Sequence, residues 1–355
     1  MLTWWWANGA SESNDNIKNS PNEYISSKNI LEPKVDGLGP IRRDRFHISA
    51  ILSMEMAFDR HIITGSTDLI LVHNLIDGII SRRISNNFGE VYSIKMIYGP
   101  TPSFVSSHSD SNIRIWDFFD SESSPVLLGA HIGRVFCMDV LQGPSPLLVS
   151  GGEDGIARVW DPLGRIVVGN MIGHNSSILS CAVSQGEMPI VISGDAHGMV
   201  VAWDLANLCP IGQRRAISSA VKSIAIAQGS EALVIVGRED GSIHILALRS
   251  GQLKLSLRAH HSEIRNIRIR GSTNENNSYF LTCSSDSSIR LWNLWSGEVV
   301  KSWSTSKEMA TMSLMSTCLC CTQGPDLWVA CGAEDGAVRT WHLVSFDNGV
   351  NMIGS

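Results

Sequence analysis

Two sets of residues in this chain have the make-up of a nucleophile, its base and an orienting carboxylate. His131, Ser150 and Asp154 form one, and His260, Thr282 and Asp286 form the other. In each set an indole, Trp160 or Trp292, follows six residues after the Asp. A hydroxyl, an imidazole and a carboxylate chained donor to acceptor can activate an oxygen nucleophile. Here the pattern recurs in part, with His47 before Thr64 and His174 before Ser193. A catalytic constellation is built once, whereas a set repeated along the chain belongs to the architecture. Buried and fully bonded, such a set contributes stability, so no catalytic residue is assigned.

The elements that must hold these sets recur as well. Seven times, at intervals of 43 to 49 residues, a short apolar run passes a tight turn and ends at an anchor position. The anchors are His73, Trp116, Trp160, Trp203, Leu246, Trp292 and Trp341. VSGGEDGIARVWDP (149–162) and LTCSSDSSIRLWNL (281–294) are two of the seven segments. Upstream of each turn lie buried-type residues at offsets 0, +3 and +5, from Ile51/Met54/Met56 and Val135/Met138/Val140 to Met312/Met315/Thr317. The +3 to +5 alternation suits a strand, and the irregular first step suits a bulge at its start. Each unit therefore holds a strand at this signature, one before the turn, one ending at the anchor and a fourth leading to the next unit. A repeat of this size cannot bury its own face, so the copies must stack. The expectation is an all-β, seven-bladed β-propeller of four-stranded antiparallel blades.

Length alone suggests two or three domains, but seven units that close on each other make one, over 39–355. Residues 1–38 are rich in Ser, Asn, Gly and Pro without sustained periodicity and read as a disordered arm, interrupted by Trp4, Trp5 and Trp6. Three consecutive aromatics there read as an incidental sticky end, a docking motif or a patch that folds back. GSTNENNSY (271–279) reads as a surface loop lengthening unit six. Formal charge is −6 with 17% charged residues, which gives no basic field for nucleic acid or an anionic membrane. No apolar run is long enough for a membrane span, and the start lacks the n- and h-regions of a secretory signal. Eight scattered cysteines fit a reducing, intracellular compartment, cytoplasmic or nuclear. Sequons at Asn175 and Asn276 carry little weight without a signal.

The in-register units, their Trp anchors and the two complete His–Ser/Thr–Asp–Trp sets closely resemble the WD-repeat family. That resemblance implies a structural tetrad, His131, Ser150, Asp154 and Trp160 or His260, Thr282, Asp286 and Trp292, pinning each turn to its blade. It also implies a ring sealed by pairing one chain end into the last blade, and here either Ile41–Phe46 or Val350–Ile353 supplies that strand. The other units depart from the pattern. Unit four has His197 at the turn, with Asp195 two residues earlier. Unit five has Val236 and Leu246 where hydroxyl and indole belong, unit one has His73 for Trp, and unit seven has Cys331 for the hydroxyl.

By the same resemblance, partners sit on the narrow top face, contacting residues that flank offset 0 and the residue before the turn Asp. Carried onto this chain, that set contains Leu52, Glu90, Tyr92, Arg134, Phe136, Glu153, Leu179, Lys222, Glu239, Arg265 and Glu334. Leu52, Tyr92, Phe136 and Leu179 fall on consecutive units and form an apolar arc, while units five to seven offer Lys222, Arg265 and acids. The expected partner lays an apolar segment over units one to four and turns basic groups toward the acids.

No phosphate-binding loop, zinc-protease helix, nucleophile elbow or EF-hand loop occurs. The CxxC spacing at Cys318–Cys321 has no second pair and reads as strand residues, so no metal and no cofactor is expected. Arginine clusters (Arg42/Arg43/Arg45, Arg82/Arg83, Arg214/Arg215, Arg265/Arg268/Arg270) are dispersed and read as solvated strand edges. No FRRG motif or Trp-Asp-x-Arg box is present. The sequence therefore reads as a non-catalytic scaffold for a protein or peptide partner in a multiprotein complex, without a small-molecule substrate. A ubiquitin-ligase substrate receptor and an RNA-processing subunit are the alternatives.

Overall fold

Alternating apolar residues bounded by Gly, Asp and Ser turns give 28 strands in this computed structural model, which describes residues 42–58, 60–120, 124–215, 219–271, 278–304, 316–321 and 327–343. The first strand, β1 (Arg42–Arg45), stands apart from the four-strand groups that follow. Blade one holds β2 (Ser53–Ala57), β3 (His61–Gly65), β4 (Leu69–Asn74) and β5 (Ile80–Ser85). Blade two holds β6 (Val91–Ile97), β7 (Ser103–His108), β8 (Asn112–Asp117) and β9 (Val126–Ala130). Blade three holds β10 (Val135–Leu141), β11 (Leu147–Gly152), β12 (Ile156–Asp161) and β13 (Ile166–Ile172). Blade four holds β14 (Ile178–Val183), β15 (Ile190–Asp195), β16 (Met199–Asp204) and β17 (Cys209–Arg215). Blade five holds β18 (Val221–Ala227), β19 (Leu233–Arg238), β20 (Ser242–Ala247) and β21 (Leu253–Arg258). Blade six holds β22 (Ile264–Arg270), β23 (Tyr279–Ser284), β24 (Ser288–Asn293) and β25 (Val299–Ser304). Blade seven holds β26 (Ser316–Cys321), β27 (Leu327–Ala333) and β28 (Ala337–Leu343), and its fourth strand is β1.

All seven sheets are four-stranded and antiparallel, and the first strands of successive blades pack side by side until β26 meets β2. The chain is an all-β, seven-bladed propeller. In blade seven, β1 runs against β28 with Arg42 opposite Thr340 and Arg45 opposite Ala337. Arg43 also reaches the turn, its Nη2 donating to Asp335 Oδ2 at 3.0 Å. The expected arm at 1–38, the alternative closing strand at 350–353 and most of the loop at 271–279 lie outside the described residues.

The core lies between blades. Ile97, Val105 and Ile113 of blade two pack on Val135, Met138, Leu148 and Trp160 of blade three, and equivalent clusters repeat around the ring. Full burial of each such side chain stabilises by about 1.5–3 kcal/mol. Close approach of the blades explains a glycine near the end of the second strand. A Cβ on Gly151 would lie 2.5 Å from Ile178 Cγ2, and one on Gly194 would lie 2.3 Å from Val221 Cγ1.

The bulge expected from the irregular first step is present in blades two to six, where register shifts between Val91/Ser93, Val135/Cys137, Ile178/Ser180, Val221/Ser223 and Ile264/Asn266. Blade seven corrects the sequence register. Its bulge falls between Ser316 and Cys318, with Ser316 opposite Ala333, so offset 0 is Ser316 and not Met312. The Ser- and Met-rich stretch before β26 offers the same apolar spacing in more than one frame. Spacing to the second strand resolves it, because the bulge residue and its partner are 17 positions apart in Val91–His108, Val135–Gly152 and Ser316–Ala333 alike.

Candidate functional site: the channel mouth and the tetrads beneath it

The His–Ser/Thr–Asp–Trp sets assemble as bonded chains inside the blades. In blade three, Trp160 Nε1 donates to Ser150 Oγ at 2.7 Å, and His131 Nε2 lies 2.7 Å from the same oxygen. His131 Nδ1 lies 3.0 Å from Asp154 Oδ1. The consistent proton order runs from indole to hydroxyl, hydroxyl to Nε2, and Nδ1–H to carboxylate. Blade six repeats it: Trp292 Nε1 to Thr282 Oγ1 at 2.9 Å, His260 Nε2 to Thr282 Oγ1 at 2.7 Å, and His260 Nδ1 to Asp286 Oδ2 at 3.0 Å. Burial lowers the pKa of His131 and His260 despite their carboxylates, so both are neutral at pH 7. Ser150 and Thr282 are fully buried, and their hydroxyls are occupied on both sides, which leaves no route for a substrate to reach them.

The departures are repaired mainly from one position, two residues before the usual turn Asp. In blade four that residue is Asp195, and it completes a tetrad the sequence spacing leaves in doubt. His174 Nδ1 lies 3.0 Å from Asp195 Oδ2, His174 Nε2 lies 2.7 Å from Ser193 Oγ, and Trp203 Nε1 donates to Ser193 Oγ at 2.7 Å. Asp195 also accepts the turn amides of His197 at 3.0 Å and Met199 at 2.8 Å, whereas the His197 side chain is exposed. In blade two the equivalent residue is His108, whose Nε2 lies 2.7 Å from Ser106 Oγ, itself the acceptor of Trp116 Nε1 at 2.7 Å. In blade five it is Arg238, which donates to His244 Nδ1 at 3.1 Å and to Ser219 O at 3.0 Å. Burial, helped by Arg114 and Arg238 respectively, brings His108 and His244 down to about 4. Blade one keeps His47 on Thr64 at 2.9 Å, with Asp68 3.6 Å from its Nδ1. In blade seven Asp335 is held instead by Arg339, at 3.1 and 2.7 Å.

Above the tetrads, the bulges carry the predicted contact residues. Tyr92, Phe136, Leu179, Lys222 and Arg265 are each the extra residue of a bulge, and a bulge re-aims a side chain out of the ladder. With Leu52 they line a single central cavity of about 150 Å³, room for about five waters at ~30 Å³ each. The Tyr92 and Phe136 rings meet edge to face at 5.3 Å, and the Arg134 guanidinium lies 5.6 Å from the Phe136 centroid. The Tyr92 hydroxyl donates to Glu90, and burial together with that carboxylate raises its pKa. Leu52, Tyr92, Phe136 and Leu179 are half-buried, so the arc is open to solvent at its rim. Glu90, Arg134, Glu153, Glu239 and Glu334 stand outside the cavity lining.

Several of these acids already have basic neighbours within the ring. Glu153 pairs with Arg134 at 3.0 Å. Lys222 lies 3.6 Å from Glu239 and 3.3 Å from Glu263, and Arg265 lies 2.5 Å from Glu263. Burial pushes the Glu263 carboxyl up, but Arg265 and Lys222 outweigh it and hold it low. Of the predicted top-face acids only Glu334 has no ion pair or hydrogen bond among the described residues.

Deeper in the channel lies a charge cluster the sequence reading missed. Lys95 Nζ is 3.1 Å from Asp139 and 3.8 Å from Glu55, and Arg268 Nη2 is 3.2 Å from Glu55. Burial works against the Lys95 charge, but Asp139 and Glu55 outweigh it and raise its pKa. All four residues sit at offset +4, so reading the units side by side and not along the chain exposes the cluster. Other arginines are also spent internally: Arg82 donates to Asp117 O, and Arg214 to Gly251 O at 3.1 Å. Part of the dispersed arginine clusters is thus taken up by contacts within the ring. Of the Cys318–Cys321 stretch in β26, the Cys321 side chain is described; it is buried, and burial pushes its thiol up to about 11, as for a small apolar strand residue.

These features describe a propeller with hydrogen-bonded networks inside its blades and a cavity lined by bulge residues at the channel mouth. The family model described as WD domain, G-beta repeat matches residues 81–117, 124–161 and 251–293. Those matched repeats and the seven-bladed ring show a propeller that carries WD repeats. Propellers of this family are typically protein-interaction scaffolds and generally non-catalytic. No curated protein matches the chain significantly. Among the described residues no helix is long and apolar enough to cross a membrane, and no group of three or more His, Cys, Asp or Glu is placed to hold a metal ion.

Proposed function

We propose that this protein is a non-catalytic scaffold that grips an extended apolar segment of a protein partner across the channel mouth. One observation supports this most directly: the bulges of blades two to four turn Tyr92, Phe136 and Leu179 out of their ladders and into one cavity rim. Packing within a blade gives no reason to place large apolar residues there, since the ladder continues on either side without them. Tyr and Arg are among the residue types that dominate interface energetics once a partner buries them. The paired ions Lys222–Glu239, Lys222–Glu263 and Arg265–Glu263 then act as a neutral polar border that excludes water around the apolar contact.

The partner segment that fits is apolar where it crosses blades one to four and uncharged or polar over blades five and six. Peptide display against the immobilised full chain tests this. Enriched peptides should carry a large apolar or aromatic anchor, and their affinity should fall at least about tenfold for Phe136→Ala, the ~1.4 kcal/mol or more expected of a buried aromatic anchor. Peptides enriched for charge, or binding unchanged by Phe136→Ala, would count against the site.

A further inference from the structure

The opposite face of the ring carries an aromatic platform that neither the tetrads nor the channel mouth uses. Phe58 in the β2–β3 turn meets Tyr98 of the β6–β7 turn at 5.8 Å. It meets Phe118 and Phe119 of the β8–β9 turn at 5.2 and 6.2 Å. Phe118 is buried in the blade-one/blade-two core, which anchors the platform, while Phe119 is 72% exposed and Phe58 and Tyr98 are also exposed. Ile76 and Ile79 in the neighbouring β4–β5 turn extend the apolar surface toward blade seven.

The backbone of Phe58 is uncommon, though Arg165 and Leu208 share it at φ 56° and 55°. Its φ is 56°, the left-handed region, where a bulky residue is a genuine outlier. The corresponding turns of blades three, four and five place Gly143, Gly186 and Gly229 at positive φ. A glycine would adopt this φ without strain, whereas Phe58 places an aromatic ring on the surface here.

The chain enters the ring on this same face. Because β1 is antiparallel to β28, with Arg45 opposite Ala337 and Arg42 opposite Thr340 at mid-strand, β1 begins on the side toward the end of blade seven away from the Asp335 turn. That is the end where the Phe58, Tyr98 and Phe119 turns lie, and blade seven adjoins blade one. The residues before β1 include Trp4, Trp5 and Trp6, 36 to 38 positions upstream of Arg42. Random-coil statistics give 36 residues a root-mean-square span of about 30–36 Å. Crossing three strand spacings and one or two blade widths requires about 25–35 Å.

We propose that the Trp4–Trp6 segment docks in cis on the Phe58/Tyr98/Phe119 platform, folding the N-terminal segment back over blades seven and one. The ligand is thus a tryptophan cluster of the same chain, and the contact is aromatic on aromatic.

Hydrogen exchange on the full chain tests it, comparing wild type with Trp4→Ser/Trp5→Ser/Trp6→Ser. The account expects amides at 57–60, 98–102 and 118–120 to exchange at least about fivefold faster in the variant, with the Met188 and Trp295 turns unchanged. A second variant, Tyr98→Ser/Phe119→Ser, alters exposed positions and should speed exchange at residues 2–8 by a similar factor. Equal exchange in wild type and both variants overturns the proposal. So does protection that grows with protein concentration alongside a dimer in light scattering, which would make the occupant a second copy. Neither readout involves the channel mouth, so this proposal and the scaffold reading fail separately.

Discussion

Asp195 provides a sharp perturbation, because sequence position and geometry disagree about its importance. By spacing, His197 occupies the turn position; by geometry, Asp195 holds His174 at 3.0 Å and both turn amides. Asp195→Ala removes one hydrogen bond to a buried carboxylate, worth about 1.5–3 kcal/mol, and strands the His174 Nδ1 donor at a further cost of about 1–3 kcal/mol. The turn amides can find water, so the expected loss is about 3–5 kcal/mol. His197→Ala removes an exposed side chain and should cost under about 0.5 kcal/mol. Local hydrogen exchange in blade four separates the two. At ~1.4 kcal/mol per tenfold, amides of β15 and β16 should exchange about 10²- to 4 × 10³-fold faster in Asp195→Ala if they exchange through local opening, and nearly as in wild type in His197→Ala. Protection equal to wild type in Asp195→Ala, or a larger effect from His197→Ala, would refute the reasoning.

The remaining predictions concern the same networks. Trp203→Phe keeps the apolar ring but loses the bond to Ser193, and should cost about 1 kcal/mol in urea unfolding; Ser193→Ala strands two partners and should cost about twice that. Stability should also fall on mild acidification. The folded pKa values of His131, His174, His260 and His108 lie below the ordinary 6.5, so the unfolded chain binds more protons below that pH. Their contribution is complete above pH ~6.5 and is lost as pH falls toward the folded values. His108, at about 4, accounts for at most about 3 kcal/mol by pH 4. Asp110, Asp154 and Asp335, held at about 2, add a second loss between pH ~4 and 2. A urea midpoint unchanged between pH 7.5 and 5 would contradict this. In the channel, Lys95→Met leaves Glu55 and Asp139 less compensated and should cost about 1–3 kcal/mol; adding Asp139→Asn should recover part of it in a double-mutant cycle.

The propeller was legible because its period, turns and anchors repeat, and errors in one unit are corrected by the others. The His131 and His260 tetrads were legible for the same reason. Asp195 was not, because whether a carboxylate two positions early still reaches the imidazole depends on the path of β15 through the end of the blade. His108 was hidden likewise: it supplies an imidazole from the second strand, where the pattern looks for one before the first. In blade seven the Met-rich run gave the apolar period in a wrong frame, and only the distance to β27 fixes it. At the channel mouth the residues could be named, but their charge state could not. Glu239 reads as an acid available to a partner until Lys222 is seen beside it.

The most direct test of the scaffold account is affinity purification with mass spectrometry, comparing wild type with Tyr92→Ala/Arg134→Glu/Phe136→Ala. The Arg134–Glu153 pair is exposed and contributes little to stability, so the variant should still melt cooperatively. Given that melt, the account predicts selective loss of a defined set of partners, with others retained. Retention of every partner by a folded variant would contradict the channel mouth as the binding site.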